Sequence, residues 1–185
     1  MTYSRQMTYD RIKNLKKSEP AYGMLISVEL NNLRGESMAF NYDLDFDTIN
    51  FREQPDLYRV GRGEQGVLLV EPYKSEILPH WRFKTPKIAK ESSEKIYQMY
   101  LDYKDDQDFV GMDMARKYLQ MGYTRARRYA NYKGGRKYDE DGEIKERTID
   151  EEKAESAAIF EEKWIIVRED EEYLKLKKEH QKKYG

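Results

Sequence analysis

The sequence contains no cysteine, only two histidines and five prolines, and no apolar run long enough to span a membrane. Disulfides, thiol catalysis and thiolate metal sites are therefore excluded. Since His180 lies among C-terminal lysines, a histidine-rich metal site is excluded as well. The N-terminus lacks the apolar segment of a signal peptide, so we expect a soluble cytoplasmic protein without membrane contact.

Aliphatic residues are scarce, whereas charged residues make up 37% of the chain and tyrosine occurs 16 times. This composition predicts a small core with buried tyrosine rings whose hydroxyls reach polar partners. The formal net charge of -1 is compatible with one basic face that acidic segments balance elsewhere. The length suits one domain, which we place at residues 38–185, preceded by an N-terminal extension at residues 1–37.

The N-terminal half of the predicted domain has strand-like patterns. Aromatic or apolar and polar residues alternate in FNYDLDFD, residues 40–47, which predicts a half-buried strand. Its aspartates are spaced as in a calcium loop, but Thr48 and Gln54 stand where that loop needs glycine and glutamate, so no metal is predicted.

The glycines of GRGEQG, residues 61–66, match the GxGxxG pattern of phosphate-binding loops. A dinucleotide fingerprint requires a helix after the third glycine, whereas here the strand-forming run VLLV follows. We therefore predict a β-hairpin whose loop uses glycine for positive φ angles. Together with segment 40–47 it indicates a small antiparallel sheet between residues 40 and 84.

The C-terminal half has helix-start signals. Thr85 precedes Pro86 and predicts a helix to about Tyr103, and Asp108 caps a second helix that would end at Gly122. Thr124 would cap a short third helix, and Asp150 a long final one to about residue 183. The predicted fold class is α+β, with the small antiparallel sheet packed against this helical half.

Residues 124–137 carry concentrated positive charge without any acid. Two helices joined at Gly122 would resemble a helix-turn-helix, whose second helix contacts nucleic acid. We expect DNA or RNA as the partner, with cations on phosphates, tyrosines stacking on bases and Asn131 reading a base. The predicted binding residues are Arg125, Arg127, Arg128, Tyr129, Asn131, Tyr132, Lys133, Arg136 and Lys137.

Three alternatives stay open, with no cofactor predicted and the oligomeric state undetermined. An enzyme acting on a phosphorylated or nucleic-acid substrate would use residues 59–84, with Glu71, Lys74 and His80 as catalytic candidates and Arg59, Arg62 and Arg82 as anion-binding residues. An adaptor would instead bind an acidic protein through the basic segment. Finally, the acids of segment 139–152 would neutralise that segment if they fold back onto it.

Two long blocks carry a resemblance to a known family: FREQPDLYRVGRGEQGVLLVEPYKSEILPHWRFKTP and FVGMDMARKYLQMGYTRARRYANYKGGRKYD. Over about residues 40–185 the chain resembles the domain of unknown function 4385 family, found in bacteria, fungi and phages, including phages of marine cyanobacteria. The resemblance implies a bacterial or phage-encoded protein, in the latter case located in the host cytoplasm. It implies no catalytic residues.

Overall fold

The structure, a computed structural model, describes residues 40–185, and the predicted N-terminal extension lies outside them. Short 3-10 turns occur at Pro55–Leu57, Leu78–His80 and Lys133–Gly135. The helices are α1 (Tyr73–Ile77), α2 (Pro86–Asp105), α3 (Phe109–Asn131), α4 (Glu151–Arg168) and α5 (Glu171–Tyr184). None of them is long and apolar enough to cross a membrane.

Helix α3 is the centre of the fold, because α2, α4 and α5 all pack against it. Every residue from Phe109 to Leu119 is buried, which is typical of a helix enclosed on all sides. After Gly122 the burial becomes one-sided: Ala126 and Ala130 face the core while Arg125 and Arg128 are exposed. The two ends of α3 therefore have different surroundings, a closed N-terminal half and a half-exposed C-terminal end.

The predicted helix starts are confirmed at three places. The Thr85 hydroxyl accepts the amide of Ile88 at 3.3 Å, with Pro86 in the first turn. The carboxylates of Asp108 and Asp150 accept the third amide of α3 and α4, each at 3.0 Å. Each cap satisfies an amide that has no partner within its own helix, which is why these residue types mark a helix start.

The predicted antiparallel sheet is wrong. Within residues 40–185 there is no strand, only an isolated bridge between Tyr138 and Ile144. Segment 40–47 is irregular instead: Phe40 and Phe46 stack on each other at 5.6 Å, whereas Tyr42, on the same side of the predicted strand, is 57% exposed. The aromatic residues of this segment therefore belong to a loop that packs two of its rings together.

The predicted β-hairpin is wrong as well, because residues 61–70 form successive turns. Amides of this segment bond to carbonyls three residues earlier, for example Gln65 to Arg62 and Leu69 to Gly66. Gly66 has a φ of +78°, and a Cβ there would overlap the ring of Phe40. The glycine thus permits both a left-handed turn and close approach of an aromatic ring.

The predicted helix-turn-helix is also absent, since α3 runs unbroken through Gly122 to Asn131. A Cβ at Gly122 would overlap the ring of Phe160 on α4, so this glycine serves close helix packing. Thr124 caps no helix, and its hydroxyl donates to the Glu64 carboxylate at 2.6 Å. Tertiary packing here outweighs the helix-terminating tendency of glycine.

The single final helix that we predicted is divided into α4 and α5. The break lies at Glu169 and Asp170, and the Asp170 carboxylate accepts the amides of Glu172 and Tyr173 to start α5. The first turn of α5 buries Tyr173, whereas the next residue, Leu174, is 47% exposed.

Candidate functional site

The cations of the predicted binding segment form an exposed surface at the C-terminal end of α3. We define the basic surface as the side chains of Arg125, Arg127, Arg128, Lys133, Arg136 and Lys137, all of which are exposed. The first three project from α3 because the small residues Ala126 and Ala130 turn the opposite side of the helix toward the core. The other three follow in the glycine-containing turn after α3.

Within residues 40–185, no cation of the basic surface has a carboxylate within 4.0 Å. The acidic segment 139–152 folds back beside the end of α3, because the amides of Thr148 and Asp150 donate to the carbonyls of Asn131 and Ala130. The Asp139 carboxylate accepts the amides of Asp141 and Glu143, and the backbone of Lys145 bonds to that of Lys137. The acids therefore lie beside the basic surface without forming ion pairs with it in the part of the chain described.

The aromatic and amide residues of the segment are held by neighbouring groups. Tyr129 is 41% exposed, and Gly135 approaches its ring so closely that a Cβ would lie 2.7 Å from it. Phe83 packs on the same ring with a centroid distance of 5.9 Å. Asn131 accepts a hydrogen bond from Arg147 at 2.9 Å, and Tyr132 is half-buried at the end of α3.

The catalytic candidates between residues 59 and 84 make local contacts. Lys74 and Glu71 form an ion pair at 2.7 Å on neighbouring turns. Burial alone would raise the pKa of Glu71, but Lys74 and Ser75 outweigh it and lower that pKa. His80 is exposed, and its carbonyl accepts the hydroxyl of Ser92 at 2.7 Å.

The predicted anion-binding arginines are not brought together either. Arg82 donates to the carbonyls of Leu78 and Trp81, and Arg59 to that of Asp56, so both bond to nearby backbone. Arg62 is exposed. No hydrogen bond or ion pair among the described residues joins these arginines to the Glu71–Lys74 pair.

A buried polar network lies at the middle of α3, and it was not predicted from the sequence. Asp113 is fully buried and accepts hydrogen bonds from the hydroxyls of Tyr58 and Tyr173, the latter at 2.7 Å. Arg116 donates to the same carboxylate at 2.8 Å, and the Lys117 ammonium lies 3.5 Å from it. These two cations were visible in the sequence, but they are buried and separate from the basic surface.

The charges of this network determine the pKa of its members. Burial by itself would raise the pKa of Asp113, but Arg116, Lys117 and the two tyrosine hydroxyls hold it well below its usual range. Burial lowers the pKa of Lys117 in spite of the nearby carboxylate. Lys117 also donates to the Gln65 carbonyl at 2.7 Å. The network is closed to solvent, so its role is to hold together α3, the segment that contains Tyr58 and Gln65, and α5.

A second polar cluster lies nearer the surface, around the start of α3. The Arg52 guanidinium forms two hydrogen bonds of 2.8 Å with the Glu76 carboxylate, which also accepts the Tyr103 hydroxyl at 2.7 Å. The Tyr73 hydroxyl donates to Asp108 at 2.8 Å. Among residues 40–185, no group of three histidine or acidic side chains is arranged to hold a metal ion.

Comparison with known proteins gives a family but no characterised relative. No curated protein and no solved structure matches the chain. A family model described as "Domain of unknown function (DUF4385)" matches residues 41–183, most of the chain, in agreement with the predicted resemblance. The protein therefore belongs to the DUF4385 family.

Proposed function

We propose that the protein binds nucleic acid through the basic surface. The observation that carries this proposal is a set of exposed cations without ion pairs among the described residues, in a chain of net charge -1. Elsewhere in the described chain several cations, such as Lys104 and Lys163, pair with carboxylates. Cations left unpaired are available to phosphates, whose binding releases counterions from the nucleic acid.

The aromatic residue Tyr129 supports single-stranded nucleic acid as the ligand. Gly135 and Phe83 both contact its ring, yet the residue remains 41% exposed, so little side-chain entropy is lost when a base stacks on the exposed part. Binding does not require a recognition helix, because phosphate contacts and stacking both tolerate any sequence. We therefore expect weak sequence preference.

Fluorescence anisotropy with a labelled oligothymidylate, repeated over a salt series, tests the proposal. If the six cations each neutralise a phosphate, log affinity falls against log salt with a slope of roughly -4. The variant R125E/R128E removes two of these contacts and should reduce the steepness by roughly 1.4, with weaker binding at every salt concentration. Duplex DNA and a matching RNA strand show which nucleic acid is preferred.

The matched control is K178E/K182E, which makes the same charge change at exposed positions of α5. This variant should keep the wild-type affinity and slope, because α5 packs near the opposite end of α3 through His180 and Phe109. A salt-independent affinity, or equal losses in the two variants, contradicts the proposal. A partner captured from lysate that persists after nuclease digestion identifies an acidic protein instead.

A further inference from the structure

A cavity of about 570 Å³ lies between the start of α3 and the C-terminal half of α5. Phe109, Val110, Leu176 and Tyr184 supply apolar and aromatic wall, and charged side chains surround it. This volume is within the range of small-molecule sites in proteins. The cavity is separate from the Asp113 network and shares Arg52 and Asp108 with the second polar cluster.

His180 is a buried wall residue with an unused acceptor. It is 8% exposed, and its Nε2 lies 2.8 Å from the carbonyl oxygen of Tyr58. Since a carbonyl only accepts, Nε2 must carry the proton. Burial lowers the pKa of His180, so the ring is neutral and Nδ1 presents a lone pair. No described residue donates to Nδ1, and Phe109 and Tyr184 fix the ring at centroid distances of 4.8 and 4.9 Å.

Two of the hydrogen-bond donors in the wall, Arg52 and Gln107, are already engaged, whereas the Lys183 ammonium is exposed and has no ion pair within residues 40–185. Both terminal nitrogens of Arg52 are bonded to Glu76, and the Gln107 amide donates to the Lys104 carbonyl and to Glu172. The carboxylates of Asp106 and Glu179, by contrast, are exposed and have no ion pair within residues 40–185. The free acceptors of the cavity are therefore His180 Nδ1 and two carboxylates, and its free donors are the Lys183 ammonium and the Tyr184 hydroxyl.

The wall of the cavity carries more negative than positive side chains. The carboxylates of Asp106, Asp108 and Glu179 face only two cations, Arg52 and Lys183. The start of α3 would add a partial positive charge, but the Asp108 carboxylate caps it at the Gly111 amide, 3.0 Å away. This excess of carboxylates favours a ligand that carries positive charge and donates hydrogen bonds.

We propose that this cavity binds a small organic cation, a protonated primary amine on an apolar body. Its ammonium group donates to Nδ1 of His180 and is attracted to Asp106 and Glu179. Its apolar body packs on Phe109 and Tyr184, whose ring faces also favour a cation. The site is independent of the basic surface, since Phe109 and Arg128 stand about 28 Å apart along α3.

A charge series on one ring tests the proposal: benzylammonium, benzyl alcohol and benzoate are titrated into ¹⁵N-labelled full-length protein and followed by NMR. We expect saturable shifts of the Phe109, Val110 and His180 signals with benzylammonium, at a Kd of roughly 1 mM. Benzyl alcohol should bind more weakly, and benzoate should not bind in this cavity. A saturable site elsewhere, no saturable shift, or stronger binding of benzoate overturns the proposal.

Variants separate charge recognition from simple apolar binding. D106N/E179Q keeps side-chain size at two exposed positions and should weaken benzylammonium binding roughly five- to tenfold. The control E162Q, an exposed position on α4, should leave the Kd unchanged. R125E/R128E should also leave it unchanged, which distinguishes this site from the basic surface. Equal Kd values for wild type and D106N/E179Q overturn the assignment of a cationic ligand.

Discussion

The buried carboxylate of Asp113 should be the most sensitive single position for stability, and D113N tests this. The side chain is fully buried and accepts from Tyr58, Tyr173 and Arg116, with Lys117 3.5 Å away. An asparagine preserves the shape but leaves two buried cations without a counter-charge. Breaking a buried ion pair in this way costs about 3–5 kcal/mol, a large share of the ~5–15 kcal/mol that stabilises a typical domain.

Urea unfolding followed by circular dichroism measures the effect. With a slope of about 2 kcal/mol per molar urea, D113N should lower the midpoint by about 1.5–2.5 M. The control D105N, at an exposed position near the end of α2, should change the free energy of unfolding by less than about 0.5 kcal/mol. A loss below about 1 kcal/mol in D113N would refute the reasoning, because it would mean that Arg116 and Lys117 need no counter-charge.

A double-mutant cycle shows whether uncompensated charge causes the loss. K117M removes the nearby ammonium, so D113N/K117M should lose less stability than the sum of the two single variants, by at least about 1 kcal/mol. Simple additivity would attribute the loss of D113N to packing instead. The pKa of Asp113 gives a second signature. Because it is held below its unfolded value, the stabilisation is present above about pH 4 and is lost as pH falls further, a loss that D113N should lack.

Two further predictions concern close packing and pH. G122A should lower the melting temperature by about 4–8 °C, which corresponds to a net loss of about 2 kcal/mol. The added methyl overlaps the ring of Phe160, and the cost of this overlap exceeds the gain in helix propensity. G122A/F160L should recover part of this loss, and an unchanged melting temperature in G122A contradicts the packing. Burial lowers the pKa of His180, and the charges of Arg59 and Lys183 add to this lowering, whereas the Tyr58 carbonyl and Asp113 oppose it. Because the pKa is lower in the folded than in the unfolded protein, stability should decline as pH falls below about 6.5. Urea midpoints measured across this pH range should show no such decline in H180Q, whereas the decline should persist in H80Q, where the replaced histidine is exposed. A decline in H180Q as large as in wild type rules out His180 as its source.

The helix starts were predictable because their causes are local. Thr85, Asp108 and Asp150 each bond to an amide three residues later, so the complete signal lies within four positions of sequence. The composition also predicted buried tyrosines with bonded hydroxyls; Tyr58 and Tyr173 confirm it, whereas the buried hydroxyls of Tyr100 and Tyr118 have no partner among the described residues. Both predictions depend on short-range or average properties of the chain.

The predictions that failed depended on distant contacts. The alternation in segment 40–47 is the same for a strand and for a loop wrapped on aromatic rings, and only the packing of Phe40 against Gly66 decides between them. Likewise, Gly122 is read as a helix end unless Phe160 is known to fill the space beside it. Sequence periodicity cannot reveal the contact of Phe40 with Gly66 or that of Gly122 with Phe160, since each joins residues far apart in the chain.

In the candidate sites, too, short-range features were predictable from the sequence and long-range contacts were not. The basic surface was visible as a run of cations, and the structure adds that they are exposed and unpaired with the described acids. In the buried network, the spacing of Asp113, Arg116 and Lys117 marks one side of a helix, but the partner Tyr58 lies 55 residues before Asp113. The acceptor on His180 was not predictable either, because its partner carbonyl is 122 residues away.

The same long separations have a consequence for how the chain is made. Tyr173 follows Asp113 by 60 residues, so during synthesis the carboxylate emerges with its neighbouring cations well before this hydroxyl exists. Until α5 is complete, the centre of α3 lacks the Tyr173 hydroxyl, and the start of α3 lacks the ring of His180 that packs on Phe109. Although domains tend to fold from their N-terminus as they are made, this one completes the core around α3 only when α5 has been made. A ribosome that stalls in α5 would therefore leave an incomplete core exposed to proteases.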